Sequence, residues 1–184
     1  MKKLVIGAIV GGIIVFLWQT LSWTVLNLHA KEYQKAPGQD SIINFLSSQF
    51  SEDAQYILPH SGGGEASMEE IEKTVEGMKG KPWAVINYHK SYDVGDKMMS
   101  FIFRGLIADI IAVLFVCWIL AANPNRKFGG IFISTILIGI VGYLFIPYSN
   151  HMWYQTPGAM TNFVDALLSW GLCGIWLGWW LSKK

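Results

Sequence analysis

Apolar residues along this 184-residue chain fall into four long runs, about 4–25, 98–122, 129–146 and 160–181, separated by polar segments. A hydrocarbon core of ~30 Å takes ~20 residues rising ~1.5 Å each, and every run is about that long. Backbone N–H and C=O groups find no partner in lipid, so each run is predicted to be a helix. The ~10-residue alternating strands of a membrane barrel are absent from the pattern. The predicted fold is a membrane all-α, four-transmembrane-helix bundle forming one membrane domain over 1–184. The first run, "MKKLVIGAIVGGIIVFLW", has the basic start of a signal peptide. Its apolar stretch outruns the usual ~7–15-residue core and no Ala-x-Ala-like site follows, so it reads as a retained anchor.

Between the first two runs, residues 30–97 read as a small α+β extracytoplasmic cap seated on the helix ends. "SIINFLSSQF" is predicted as a helix capped by Asp40, with Ile42, Ile43, Phe45, Leu46 and Phe50 as its apolar face. "AQYILP" and "PWAVINYH" are strand candidates, rich in β-branched and aromatic residues. "SMEEIEKTVEGM" opens with a capping box, Ser67 at the cap and Glu70 three residues on, and Gly77 and Gly80 mark its end. Gly62, Gly63 and Gly64 read as a flexible connector.

Composition and charge sharpen this picture. Hydrophobic residues make up 52% of the chain and charged residues only 15%, against about a quarter charged in soluble domains. The net charge of +1 hides an asymmetry. Lys2 and Lys3, Arg126 and Lys127, and Lys183 and Lys184 occupy the three segments that alternation puts on one side. All thirteen Asp and Glu residues except Asp109 and Asp165 lie between Glu32 and Asp96. The positive-inside rule then places both termini in the cytoplasm and residues 30–97 outside. The lipid bilayer is one partner, and nothing in this charge pattern suggests nucleic acid. Cys117 and Cys173 both lie within apolar runs and read as small packing residues rather than a disulfide framework.

"GGIIVFLWQTLSWTVLNLH", "YILP", "GKPWAVINYH" and "PYSNHMWYQTP", with the terminal "WGLCGIWLGWW", together carry a resemblance. The chain resembles a widespread family of uncharacterised bacterial four-helix inner-membrane proteins with one exported loop after the first helix. The resemblance implies the topology and supplies no function.

Candidate chemistry is sparse. There is no G-x-S-x-G, H-E-x-x-H or P-loop, and "SGGGEAS" lacks the lysine of a phosphate cradle. All four histidines fall on the outer side, and His29, His89 and His151 flank helix ends. They can hold zinc, copper or iron, with Asp93, Asp96 or Tyr88 completing the shell. No pair has tight ligand spacing, so structural or rim roles compete, and no cofactor is otherwise predicted. Seven of the nine tryptophans form two sets, Trp18, Trp23 and Trp153 towards one boundary and Trp118, Trp176, Trp179 and Trp180 towards the other, as in an aromatic belt, while Trp83 and Trp170 read as packing residues. Gly7 and Gly11, and Gly174 and Gly178, are GxxxG pairs for close helix contact, within the chain or with other membrane subunits or a second copy.

Three charges sit inside the apolar runs. Arg104 and Asp165 lie at similar depth from the outer side, ~9 Å and ~8 Å, and are expected to form a structural ion pair. Asp109 lies ~16 Å down with no basic partner at its depth. Ser134, Thr135, Ser169 or another subunit are its candidate partners. The expectation is a non-enzymatic membrane protein, an accessory or assembly subunit of a membrane complex or an envelope binding protein. The alternatives are an outer-face metalloprotein or enzyme using His29, His89 and His151, and a small transporter or proton pathway using Asp109.

Overall fold

In the computed structural model four helices are long and apolar enough to cross a membrane: Lys2–Val25, Val94–Ala121, Phe128–Tyr154 and Ala159–Ser182. The structure describes residues 1–60, 64, 66–123 and 127–183. The connector expected at Gly62 and Gly63, and the basic residues Arg126 and Lys184, lie outside these. The chain divides into two compact units, one of residues 1–34 with 96–184 and one of Lys35–Gly95.

In the helical unit, α1 (Lys2–Thr20) runs on into a π-helical turn, Leu21–Val25. The others are α4 (Val94–Ala121), α5 (Phe128–Tyr143) with α6 (Ser149–Tyr154), and α7 (Ala159–Ser182). The third long helix goes further than its apolar run because Pro147 does not end it. A π-helical turn over Leu144–Tyr148 takes up the proline and continues into α6. Gln155 in the left-handed region (φ 50°) then stops the helix, and only a short link precedes α7.

The core is a seam along the middle of these helices. Ala8 and Val15 of α1, Val113 and Cys117 of α4, Ile131 of α5, and Cys173 and Leu177 of α7 are buried together. Large apolar side chains face outward instead, Phe115, Trp118, Phe145 and Val141 among them. A soluble protein would leave so continuous an apolar surface exposed to water, whereas lipid covers it without cost. The helices are those of a multi-pass membrane protein.

Small residues let the helices close. A Cβ on Gly11 would meet Val113 of α4 and Cys173 of α7, and one on Gly7 would meet Trp180 and Cys117. Gly174 and Gly178 lie against Phe132, Thr135 and Phe128 of α5. Both GxxxG faces are thus occupied within the chain. The tightest approaches between helices lie outside the motif, at Gly12 against the Ile110 backbone and Gly139 against the Trp170 ring. Two tryptophans expected in the belt are interhelical ties. The Trp180 and Trp176 indole N–H groups donate to the Lys3 and Gly7 carbonyls of α1, at 2.7 and 3.1 Å. A helix carbonyl retains a lone pair for such a bond.

The second unit holds α2 (Gln39–Gln49), β1 (Ala54–Leu58), α3 (Met68–Met78) and β2 (Ala84–Tyr88). The strands pair antiparallel, Tyr56 opposite Ile86 and Ala54 opposite Tyr88. Tyr56 and Tyr88 therefore share a face, where Phe50 stacks on Tyr56 at 3.8 Å and meets Tyr88 edge-on. Asp40 does not cap α2. It lies inside the first turn, and Gly38 in the left-handed region (φ 66°) takes the cap position with no side-chain bond. An acidic residue one turn in still favours the positive helix end. Ser67 and Glu70 make the complete capping box, the Ser67 backbone N–H donating to Glu70 at 2.8 Å. That bond, and the one from the Ser67 hydroxyl, hold the Glu70 carboxyl below its usual range. The Lys90 backbone N–H and the His89 ring do the same for Asp53.

Candidate functional site

The polar side chains of the helical unit gather where α1 ends and α7 begins. The π turn is followed by Asn27 in the left-handed region, and the Leu28 N–H bonds back to the Ser22 carbonyl at 3.1 Å. This curl returns the chain over the helix end and buries His29, which is 3% exposed. A further turn, Glu32 N–H to the His29 carbonyl at 2.9 Å, brings Glu32 beside it.

His29 is held at both nitrogens. Nδ1 lies 2.7 Å from Glu32 Oε1 and Nε2 lies 2.8 Å from Asp165 Oδ2. The ring stacks on the Trp23 indole at 3.9 Å, 3° from parallel. Asp165 also accepts from the Ser22 hydroxyl at 2.8 Å and from the Trp18 indole N–H at 3.0 Å. Trp18 and Ser22 are four residues apart, so α1 and its π turn present both on the face that packs on α7. Each of the two N···O lines of the triad takes one hydrogen, shared between a ring nitrogen and a carboxylate oxygen.

Glu32 reaches the start of α7 as well. Gly158, at the cap of that helix, has φ 84°, and a Cβ there would collide with the Glu32 carboxylate. Only glycine suits both the backbone and the close approach. The carboxylate thereby sits at the positive end of α7, where negative charge is favoured.

Asp165 forms part of the wall of a cleft of about 810 Å³ between α1, α4 and α7. Its other polar groups include Gln19, Thr20, Thr24, Asn162 and Ser169. The apolar side comes from Phe16, Met98, Phe101 and Ile102, with Trp23 and Trp170. A concave, mostly apolar pocket with a few convergent polar groups is the usual form of a small-molecule site.

The residues singled out from the sequence distribute differently. The Arg104–Asp165 pair is not made. Both Asp165 oxygens are taken by His29, Ser22 and Trp18, and Arg104 is exposed on α4. α1 and the turns that follow it, not Arg104, present the partners that reach Asp165. The three histidines each have their own partner. His29 has its two carboxylates, His89 lies 3.3 Å from Asp53, and His151 Nδ1 lies 2.8 Å from the Thr156 carbonyl beyond the end of α6. Among the described residues no three His, Cys, Asp or Glu side chains form a metal-ligating group. Asp109 meets neither Thr135, which bonds to Ile131, nor Ser169, which bonds to the Asp165 backbone. Its Oδ1 lies 3.5 Å from Gln19 Nε2, and its Oδ2 is buried with no hydrogen-bond partner among the described residues. Sequence reading missed Glu32, Trp18 and Ser22. The available signals were the i, i+3 spacing of His29 and Glu32 and the i, i+4 spacing of Trp18 and Ser22. No family model matches this chain, and no curated protein and no solved structure matches it.

Proposed function

We propose that the chain is a bacterial inner-membrane protein that works by binding, and that the cleft between α1, α4 and α7 receives an amphipathic small molecule. The observation that carries this reading is Asp165. Its carboxylate is fixed by three side chains of the α1 segment, yet still faces an otherwise largely apolar cleft. A carboxylate so held in place is preorganised to receive a polar headgroup. Of the two expectations, the envelope binding protein is favoured over the assembly subunit because the GxxxG faces already seat helices of the same chain. The test is purification from native membranes followed by mass spectrometry of the small molecules carried along. Ala166 lines the cleft, so Ala166→Phe, which fills it, is expected to remove a molecule that the wild type retains. Equal retention by both would contradict the reading.

In this proposal the cleft opens on the outer side, with both termini cytoplasmic and residues 30–97 extracytoplasmic. Lys2, Lys3 and Lys127 support the orientation, because basic flanks stay inside. Cysteines introduced as Gly77→Cys and Lys127→Cys distinguish the sides, since the native Cys117 and Cys173 are fully buried and unreactive. An impermeant thiol reagent is expected to label position 77 in intact cells and position 127 only after permeabilisation. The reverse pattern would invert the orientation.

A further inference from the structure

We propose that the molecule this cleft takes is an amphiphile with a primary ammonium headgroup. The proposal rests on the binding reading above and names its ligand class. The donors and acceptors along the cleft select this class. Thr20 Oγ1 gives its hydrogen to the Phe16 carbonyl at 2.9 Å, and Thr24 Oγ1 to the Thr20 carbonyl at 2.6 Å. Ser169 Oγ gives its own to the Asp165 carbonyl at 2.6 Å. A hydroxyl has one hydrogen and two lone pairs, so all three hydroxyls now offer lone pairs alone. Asp165 accepts three hydrogens on its four carboxylate lone pairs and keeps one to offer. Asn162 has committed an amide hydrogen to the Gly158 carbonyl at 2.8 Å.

A lining of this kind satisfies a group that brings hydrogens and positive charge. An anionic headgroup would be repelled by the carboxylate and would meet mostly acceptor oxygens, with the second amide hydrogens of Gln19 and Asn162 and the Trp23 indole N–H as the donors. Among the described residues no lysine or arginine lines the cleft to offset that charge. Aromatic side chains complete the match. Trp23, Phe101 and Trp170 border the same space, and a cation over an aromatic face is attracted by the ring quadrupole. Met98 and Ile102 on the α4 side suit an alkyl tail. A primary ammonium, with three hydrogens, fits the lone pairs better than a quaternary one, which has none.

The test titrates the full chain in phosphatidylglycerol nanodiscs, which contribute no ammonium group, and follows tryptophan fluorescence. Octylammonium, octyltrimethylammonium, octanol and octyl sulfate share one tail and differ in the head. Ala166→Phe supplies the baseline for partition into lipid. Octylammonium is expected to bind at least tenfold more tightly than octanol or octyl sulfate, with octyltrimethylammonium between. Asp165→Asn is expected to weaken octylammonium at least tenfold. Ser169→Ala, which leaves the triad whole and keeps the test valid if Asp165→Asn fails to fold, is expected to weaken it severalfold. Octanol or octyl sulfate binding as tightly as octylammonium would overturn the ammonium class while leaving the cleft as a binding site. No probe binding above the Ala166→Phe baseline would overturn both. Repeating the titration in phosphatidylethanolamine nanodiscs separates the sources. A raised apparent Kd means that the lipid headgroup competes for the site, and an unchanged one means that the ligand is a soluble amine.

Discussion

Asp165→Leu is expected to be the most damaging single substitution at the site, lowering stability by roughly 3 kcal/mol, because it strands partners that stay buried. His29 loses the acceptor at Nε2, Trp18 the acceptor for its indole, and Ser22 both carboxylate oxygens. Ser22 is fully buried and His29 nearly so, and little water can reach them as a substitute. Arg104→Leu is expected to change stability by only about 0.5 kcal/mol, the usual range for an exposed side chain away from such features. Thermal melting of both variants in the same detergent measures the contrast. Equal losses would restore Arg104 as the partner of Asp165.

The second large effect is at Gly12. A Cβ there would lie 2.6 Å from the Ile110 Cα and 2.7 Å from its backbone nitrogen. Backbone atoms cannot turn aside as a side chain does, so Gly12→Ala forces α1 and α4 apart. The expected cost is about 1–3 kcal/mol, in the range of overpacked cores. Gly171→Ala is the control, since nothing lies within 4 Å of the added carbon. It is expected to be neutral or to gain about 0.5 kcal/mol from helix propensity. Denaturation of the two variants separates the outcomes. A Gly12→Ala protein as stable as Gly171→Ala would mean that α1 and α4 do not approach closely.

These two cases mark how far the sequence could be read. The spans were legible because lipid imposes length and apolarity on any crossing helix, and the runs around Gly11, Val113, Thr135 and Cys173 carried that signal whatever their neighbours. The strands at Tyr56 and Tyr88 and the Ser67–Glu70 box were legible because their cues are local. Which helix faces which is not local. Residue counting along the runs pairs Arg104 with Asp165, but their rotation about the helix axes depends on packing, and α1 with the turns after it supplies the contacts to Asp165. In the same way, GxxxG spacing flags Gly7, Gly11, Gly174 and Gly178, while the closest approaches, at Gly12 and Gly139, come from how the helices cross. The third helix outruns its 129–146 apolar run for a related reason. Proline stops an α-helix by removing one bond of the i→i−4 ladder, and a π turn changes the ladder. The His29 triad needed a turn of chain after α1, set by Asn27 at φ 50°, that no periodicity announces.

The account turns on Asp165 being tied to His29, and double-mutant cycles test that tie most directly. Stability is measured for His29→Leu, Asp165→Leu and the double variant, and in parallel for Arg104→Leu with Asp165→Leu. The His29–Asp165 cycle is predicted to give a coupling of roughly 2 kcal/mol, the double variant losing less than the sum of the singles, and the Arg104–Asp165 cycle a coupling near zero. Additive losses in the first cycle, with coupling in the second, would contradict it.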